Sequence, residues 1–322
     1  LYMRDFLCKH IPAMKERVNN LGINFNASVI NPSTSNELLI NMNPKDIPPY
    51  DKTKHFFEQP KSTIEFWEEE RRKNVNGITV GGYFIHPWLY FHLNSFKIPN
   101  AEDSSSEPVY PDFRDNEYFF TEMLKLAEED GRKALLLYGS RRISKSVCAT
   151  SYLMFKLYTI LNASCKAVGF TREPDLESIV TYMNVANTNM HPALNINANN
   201  MDFDSGVKLG VKRTAQERLD YAELSFVNLE GGTKKSATQK TAGGTPNGFL
   251  FDEIGKGSCI KPWLSAIPSF VKKDGRWRTI PLLAGCVCAG TKVYNHKGEL
   301  INIEDLKKEE GILGFDKNNQ QL

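Results

Sequence analysis

The chain has 322 residues, 41% of them hydrophobic and 24% charged, with a net charge of +2. That length allows about two domains and a sizeable core, and the balanced charge excludes a global basic field, so any nucleic-acid surface must be local. No apolar run approaches the roughly 20 residues that span a bilayer, no signal-peptide pattern opens the chain, and six scattered cysteines without a Cys-x-x-Cys or His-x-x-x-His pair fit a reducing compartment and argue against structural zinc.

Residues 1–105 read as a mixed, loop-rich region, and the start at Leu1 reads as that of a fragment. Asn26 to Tyr50 is dense in Asn, Pro and Ser, the composition of a loop. Ser62 and Glu65 have capping-box spacing, predicting a helix through Lys73 whose acid-then-base run forms a solvated face. Gly81-Gly82 predicts a turn. Pro87 suits the first turn of a short helix, and the aromatic residues from Tyr83 to Phe91 predict core, with His86 and His92 as structural histidines. Ala101 to Pro108 reads as a linker.

A helix is expected from Asn116 to Asp130. Short apolar runs then alternate with helical patterns: strands at 134–138, 165–170, 222–229, 248–251 and 279–284, with helices from Ser146 to about Ile160 and from Glu173 to Val185. That alternation predicts an α/β fold with a mainly parallel sheet and helices on both faces.

Between the first of these strands and its helix lies Gly139-Ser140-Arg141-Arg142-Ile143-Ser144-Lys145-Ser146. A strand-to-helix loop of this kind offers backbone N–H groups at a helix N-terminus as an anion cradle. Lys145 would reach the β- and γ-phosphates, and the Ser146 hydroxyl would ligate Mg²⁺. Ser144 stands where the usual pattern has Gly. The strand Gly248-Phe249-Leu250-Phe251 ends in Asp252-Glu253, where Asp252 would hold Mg²⁺ through water and Glu253 would act as general base. The pair predicts an NTPase with an extra strand between the two motif strands, using ATP and Mg²⁺.

Gly-Ser-Arg-Arg-x-x-Lys-Ser resembles the deviant phosphate loop of phage large terminases, the motors that package DNA into capsids. The resemblance implies that Arg141 acts in cis on the transferred phosphoryl group. Pro268-Ser269-Phe270 and Ile280-Pro281-Leu282-Leu283-Ala284-Gly285 look like that family's approach to its ATPase coupling motif. Tyr90-Phe91-His92-Leu93-Asn94 resembles its aromatic segment. The likeness covers about residues 75–285, implies a P-loop ATPase domain over 106–285, and stops inside the coupling motif. It further implies double-stranded DNA, a small subunit and a portal as partners, a homo-oligomer when packaging, and the host cytoplasm as location, with no membrane. Lys272, Lys273 and Arg276 beside Trp277 are candidate DNA contacts, although a solvated loop is the simpler reading. Phe113 and Arg114 are weak candidates for an adenine pocket.

After Gly285 come Cys286-Val287-Cys288-Ala289-Gly290-Thr291, then Gly298 and Ile303-Glu304-Asp305-Leu306. This resembles the first block of an intein, which implies a short β-rich splicing segment over 286–322. Cys286 would attack the Gly285 carbonyl, with Gly leaving that carbonyl sterically open; Cys288 fits the spacing less well, and a Cys-x-Cys strand is the plain alternative. The chain contains no intein histidine block and no terminal Asn, so splicing would need a C-terminal intein–extein fragment, expected to begin its extein with Thr. Rival readings are another P-loop motor such as a helicase, a precursor whose isolated activity is splicing alone, and an inactive P-loop binding module.

Overall fold

The computed structural model describes residues 46–302 apart from 81–82, 101–105, 112–114, 132–134, 139–144, 196–197, 205, 212–219, 230–243, 253–259, 286–291 and 295–299. Helix α1 spans Lys61–Asn76. The Ser62–Glu65 capping box does not form: the helix starts two residues earlier than that box implies, with Pro60 in the cap position, so Ser62 already lies inside the first turn. Gly77, at φ 71°, ends the helix in a conformation that only glycine adopts without strain. Part of the expected solvated face is also buried. Glu69 pairs with Arg72 in the open, but Glu70 is 2% exposed and accepts hydrogen bonds from Tyr90 Oη (2.5 Å) and Lys73 Nζ (2.6 Å).

Strands β1 (Ile78–Val80) and β2 (Tyr83–Ile85) pair antiparallel with Val80 opposite Tyr83, which leaves only the predicted turn residues Gly81 and Gly82 between them. Helix α2 (Pro87–Asn94) begins on Pro87 as expected, and His86 Nδ1 accepts from Trp88 N at 3.2 Å as its cap. Its aromatic residues are core: Trp88, Tyr90 and Phe91 are buried. Helix α3 (Asp115–Asp130) follows.

The central sheet holds seven strands in the order β3-β9-β8-β4-β7-β6-β5. These are β3 (Leu135–Tyr138), β4 (Ser164–Gly169), β5 (Ala198–Asp202), β6 (Gly206–Val211), β7 (Asp220–Asn228), β8 (Gly248–Phe251) and β9 (Leu282–Gly285). The five from β3 to β7 in this order are mutually parallel, whereas β6 pairs antiparallel with both β7 and the edge strand β5. The sheet is therefore mixed. Neither β5 nor β6 was expected, because Asn-rich Ala198–Asp202 and Gly-flanked β6 lack the apolar runs of the central strands.

Helices α4 (Lys145–Thr159) and α5 (Glu177–Asn189) follow β3 and β4, the latter after an irregular turn at Arg172–Leu176. Helix α6 (Ile260–Phe270) was not expected, since Pro268 lies inside it. The period-2 alternation of the strands splits the core in two. Cys165, Ala167, Leu250, Leu282 and Ala284 pack with α4, α5 and the aromatic residues of α2. Val168, Phe249, Phe251 and Leu283 pack with Ala266 and Phe270 of α6. Both faces of the parallel half are thus covered, as near-continuous apolar strands require. A small antiparallel pair, β10 (Lys292–Tyr294) with β11 (Leu300–Asn302), stands outside the central sheet. No helix among the described residues is long and apolar enough to cross a membrane.

Candidate functional site

The parallel strands end together. Tyr138 of β3 is level with Gly285 of β9, Leu283 of β9 with Phe251 of β8, and Phe251 with Val168 of β4. Five connections therefore leave one edge of the sheet: those after Tyr138, Gly285, Phe251, Gly169 and Asn228, the last level with Gly169. Open α/β sheets bind ligands outside the carboxyl ends of their strands, because the helices cover the faces and only the loops converge there.

Strand β9 lies between β3 and β8, so an extra strand does separate the two motif strands. Lys145 and Ser146, both half-buried, form the first turn of α4, where the backbone N–H groups have no partner within the helix. The Ser146 carbonyl accepts from the Thr150 hydroxyl, one turn on, at 2.7 Å. Asp252 is the first residue past β8 and is 7% exposed; its N–H donates to Val168 O at 2.8 Å, which extends the β8–β4 ladder by one residue. A buried carboxylate at a strand end needs a partner of opposite charge or several hydrogen bonds.

Gly139 to Ser144, including Arg141 and Arg142, lie outside the described residues, as do Glu253, Cys286, Phe113 and Arg114. Gly285 is the last residue of β9.

The connection after β4 was missed from the sequence. Thr171 accompanies it, with its N–H and hydroxyl both donating to Asp175 Oδ2 at 3.1 and 2.7 Å. Arg172 follows, donating to Glu177 at 2.7 Å and lying 3.3 Å from Asp204, and the Glu177 bond with the Asp204 charge raises its pKa. Its signal was a Gly ending a strand, with Thr-Arg after one intervening Phe.

The candidate DNA residues lie at the other end of the sheet. Lys272, Lys273 and Arg276 are exposed on a hairpin closed by the Val271–Trp277 bridge, upstream of β9. Trp277 N donates to Gly131 O at 2.5 Å, upstream of β3. This is the amino edge.

No family model and no curated protein matches the sequence. Among solved structures, the chain is similar to the HK97 bacteriophage large terminase (18% identity, TM-score 0.39, covering 62% of this chain and 36% of that one). It is also similar to the large terminase of a thermophilic bacteriophage (13% identity, TM-score 0.39, covering 54% and 39%), which has been solved with ADP as well. A third similar structure is the large terminase ATPase domain of a Thermus phage (16% identity, TM-score 0.35, covering 50% and 63%). The chain spans less than two fifths of the length of the two whole terminases.

Proposed function

We propose that the chain carries the ATPase part of a phage large terminase and hydrolyses ATP at the carboxyl edge of its central sheet. The observation that supports this best is the order β3-β9-β8. It sets the helix headed by Lys145 and the buried Asp252 at one edge with a single strand between them. Gly139 to Ser146 would cradle the phosphates at the N-terminus of α4, with Lys145 neutralising charge on the β- and γ-oxygens. Ser146 and Asp252 fit a hard cation, being oxygen donors at the ends of adjacent motifs, with the Asp252 carboxyl already withdrawn from water. Mg²⁺ held there would neutralise charge on the leaving phosphates. Glu253 would orient and deprotonate the attacking water, and Arg141 would stabilise the equatorial oxygens.

Double-stranded DNA, a small subunit, a portal and further copies of the chain would be its partners in the host cytoplasm. Phosphate release by the purified chain tests the reading. Glu253→Gln should abolish release while ATP binding persists, and Arg141→Ala should do the same. Turnover unaffected by Glu253→Gln would sink the assignment, and loss of binding in Arg141→Ala would remove its cis role.

A second reading concerns residues 286–322. It is favoured by the break at Gly285, after which β10 and β11 pair with each other and not with the central sheet. Cys286 would begin an intein N-segment. Its thiolate would attack the Gly285 carbonyl, forming a C–S bond as the Gly285–Cys286 C–N bond breaks and the released amine takes up a proton. Dithiothreitol should then release residues 1–285 from the wild type and not from Cys286→Ala. Release that survives the change would move the nucleophile to Cys288.

A further inference from the structure

Behind the first turns of α4 lies a second cluster of chemical groups that the ATPase reading does not use. His92 comes from α2, Glu117 from α3, and Cys148 and Ser151 from α4; they are 0, 2, 5 and 0% exposed. His92 Nε2 is 3.6 Å from Glu117 Oε2, and Cys148 Sγ is 3.7 Å from Glu117 Oε1. One ligand atom from each of His92, Glu117 and Cys148 lies within 4.8 Å of the other two.

The proton count around Ser151 points to a missing cation. Ser151 Oγ accepts from Trp88 Nε1 at 2.9 Å and gives its one proton to Cys148 O at 2.9 Å. His92 Nδ1, 2.8 Å from the same oxygen, must then be the donor in that contact. With the ring neutral, that leaves Nε2 with a bare lone pair facing the Glu117 carboxylate, and among the described residues neither His92 Nε2 nor Glu117 Oε2 has a hydrogen-bond partner. Two buried acceptors pointed at each other repel, and each lacks its hydrogen bond.

A positive centre between them removes both faults. An imidazole that donates through Nδ1 and is bare at Nε2 is the tautomer that binds metal, with Ser151 as the outer partner that holds the ring. Nitrogen, oxygen and sulfur ligands together suit zinc, and tetrahedral zinc sets such atoms roughly 3.3–3.6 Å apart. The His92–Glu117 and Cys148–Glu117 separations, 3.6 and 3.7 Å to the two carboxylate oxygens, are close to that spacing.

We propose that His92, Glu117 and Cys148 form a site for a single divalent cation of zinc type, tying α2 and α3 to the helix that Lys145 heads. Spacing along the chain could not reveal it, because the three ligands come from three helices.

The test is zinc content of the full chain after supply of zinc and removal of loosely bound metal, with X-ray absorption at the zinc edge. About one zinc per chain is expected, with one sulfur at roughly 2.3 Å and the other ligands nitrogen or oxygen. Cys148→Ser should lose it, while Cys286→Ala and Cys288→Ser should keep it. If Cys148→Ser does not fold, the absorption spectrum of the wild type decides by itself. Two sulfurs would assign the metal to Cys286 and Cys288 and overturn the proposal. A chain that retains no zinc would also overturn it, placing the Ser151 proton on His92 Nδ1 and an N–H at Nε2.

Discussion

At its carboxyl end the parallel half of the sheet gathers the ends of β3, β9, β8 and β4, the head of α4 and a buried carboxylate, Asp252. At its amino end the same strands start from the tightly packed Gly248 and from an exposed hairpin that carries Lys272, Lys273 and Arg276. The difference follows from chain direction. Each strand delivers its next loop to the carboxyl edge before a helix returns across a face, so loops and helix N-termini accumulate there. The amino edge receives helix C-termini, which favour cations instead.

The largest expected effect would break this comparison if it were absent. Glu253→Gln should lower phosphate release by roughly 10²- to 10⁴-fold. The triple change of Lys272, Lys273 and Arg276 to Ala should leave release unchanged. Equal losses would mean that chemistry is not confined to one edge.

A smaller effect separates packing from chemistry. A Cβ on Gly248 would lie 2.9 Å from Cys165 Sγ and 3.3 Å from Leu153 Cδ2. Gly248→Val should therefore cost about 1–3 kcal/mol in urea denaturation, with ATP affinity of the folded fraction unchanged.

Smaller again is an acid effect. Burial, with Lys156 and Lys125 adding to it, holds His86 down at about 4 against an ordinary 6.5. His191, stacked on Trp67 at 3.7 Å, is likewise held at about 4 by burial and Lys52. Between those values the unfolded chain binds protons that the folded chain refuses. Stability is thus full above about pH 6.5 and lost as pH falls toward 4. Thermal midpoints measured at pH 7 and pH 5 should show the drop, and replacing His86 and His191 by Gln should shrink it.

The smallest expected effect is on DNA. As a solvated hairpin, Lys272 to Arg276 should contribute nothing to affinity or to its salt dependence. A salt slope that falls by about one per removed charge would make it a phosphate contact and give the amino edge a function.

The central strands and their helices were legible because burial on both faces writes them as apolar runs. Gly248–Phe251 is one such run, and it ends at the acidic pair expected to carry chemistry. Helix α2 was legible from Pro87. Strands β5 and β6 were not, since β5 is Asn-rich and in β6 Lys208 separates the buried Val207 and Leu209, so neither segment forms an apolar run. Glu70 was misread for a related reason: its spacing to Lys73 matches a surface pair, and only the approach of Tyr90 from α2 buries it.

By itself the sequence determined the alternation of strand and helix and, to within a residue, the start of the helix after the first strand, because these are local properties of pattern and turn chemistry. Only the tertiary structure decided that β9 is the strand between β3 and β8, that β6 runs antiparallel to its neighbours, and that His92, Glu117 and Cys148 meet. Strand order and side-chain convergence come from pairings across long stretches of chain, which no local spacing encodes.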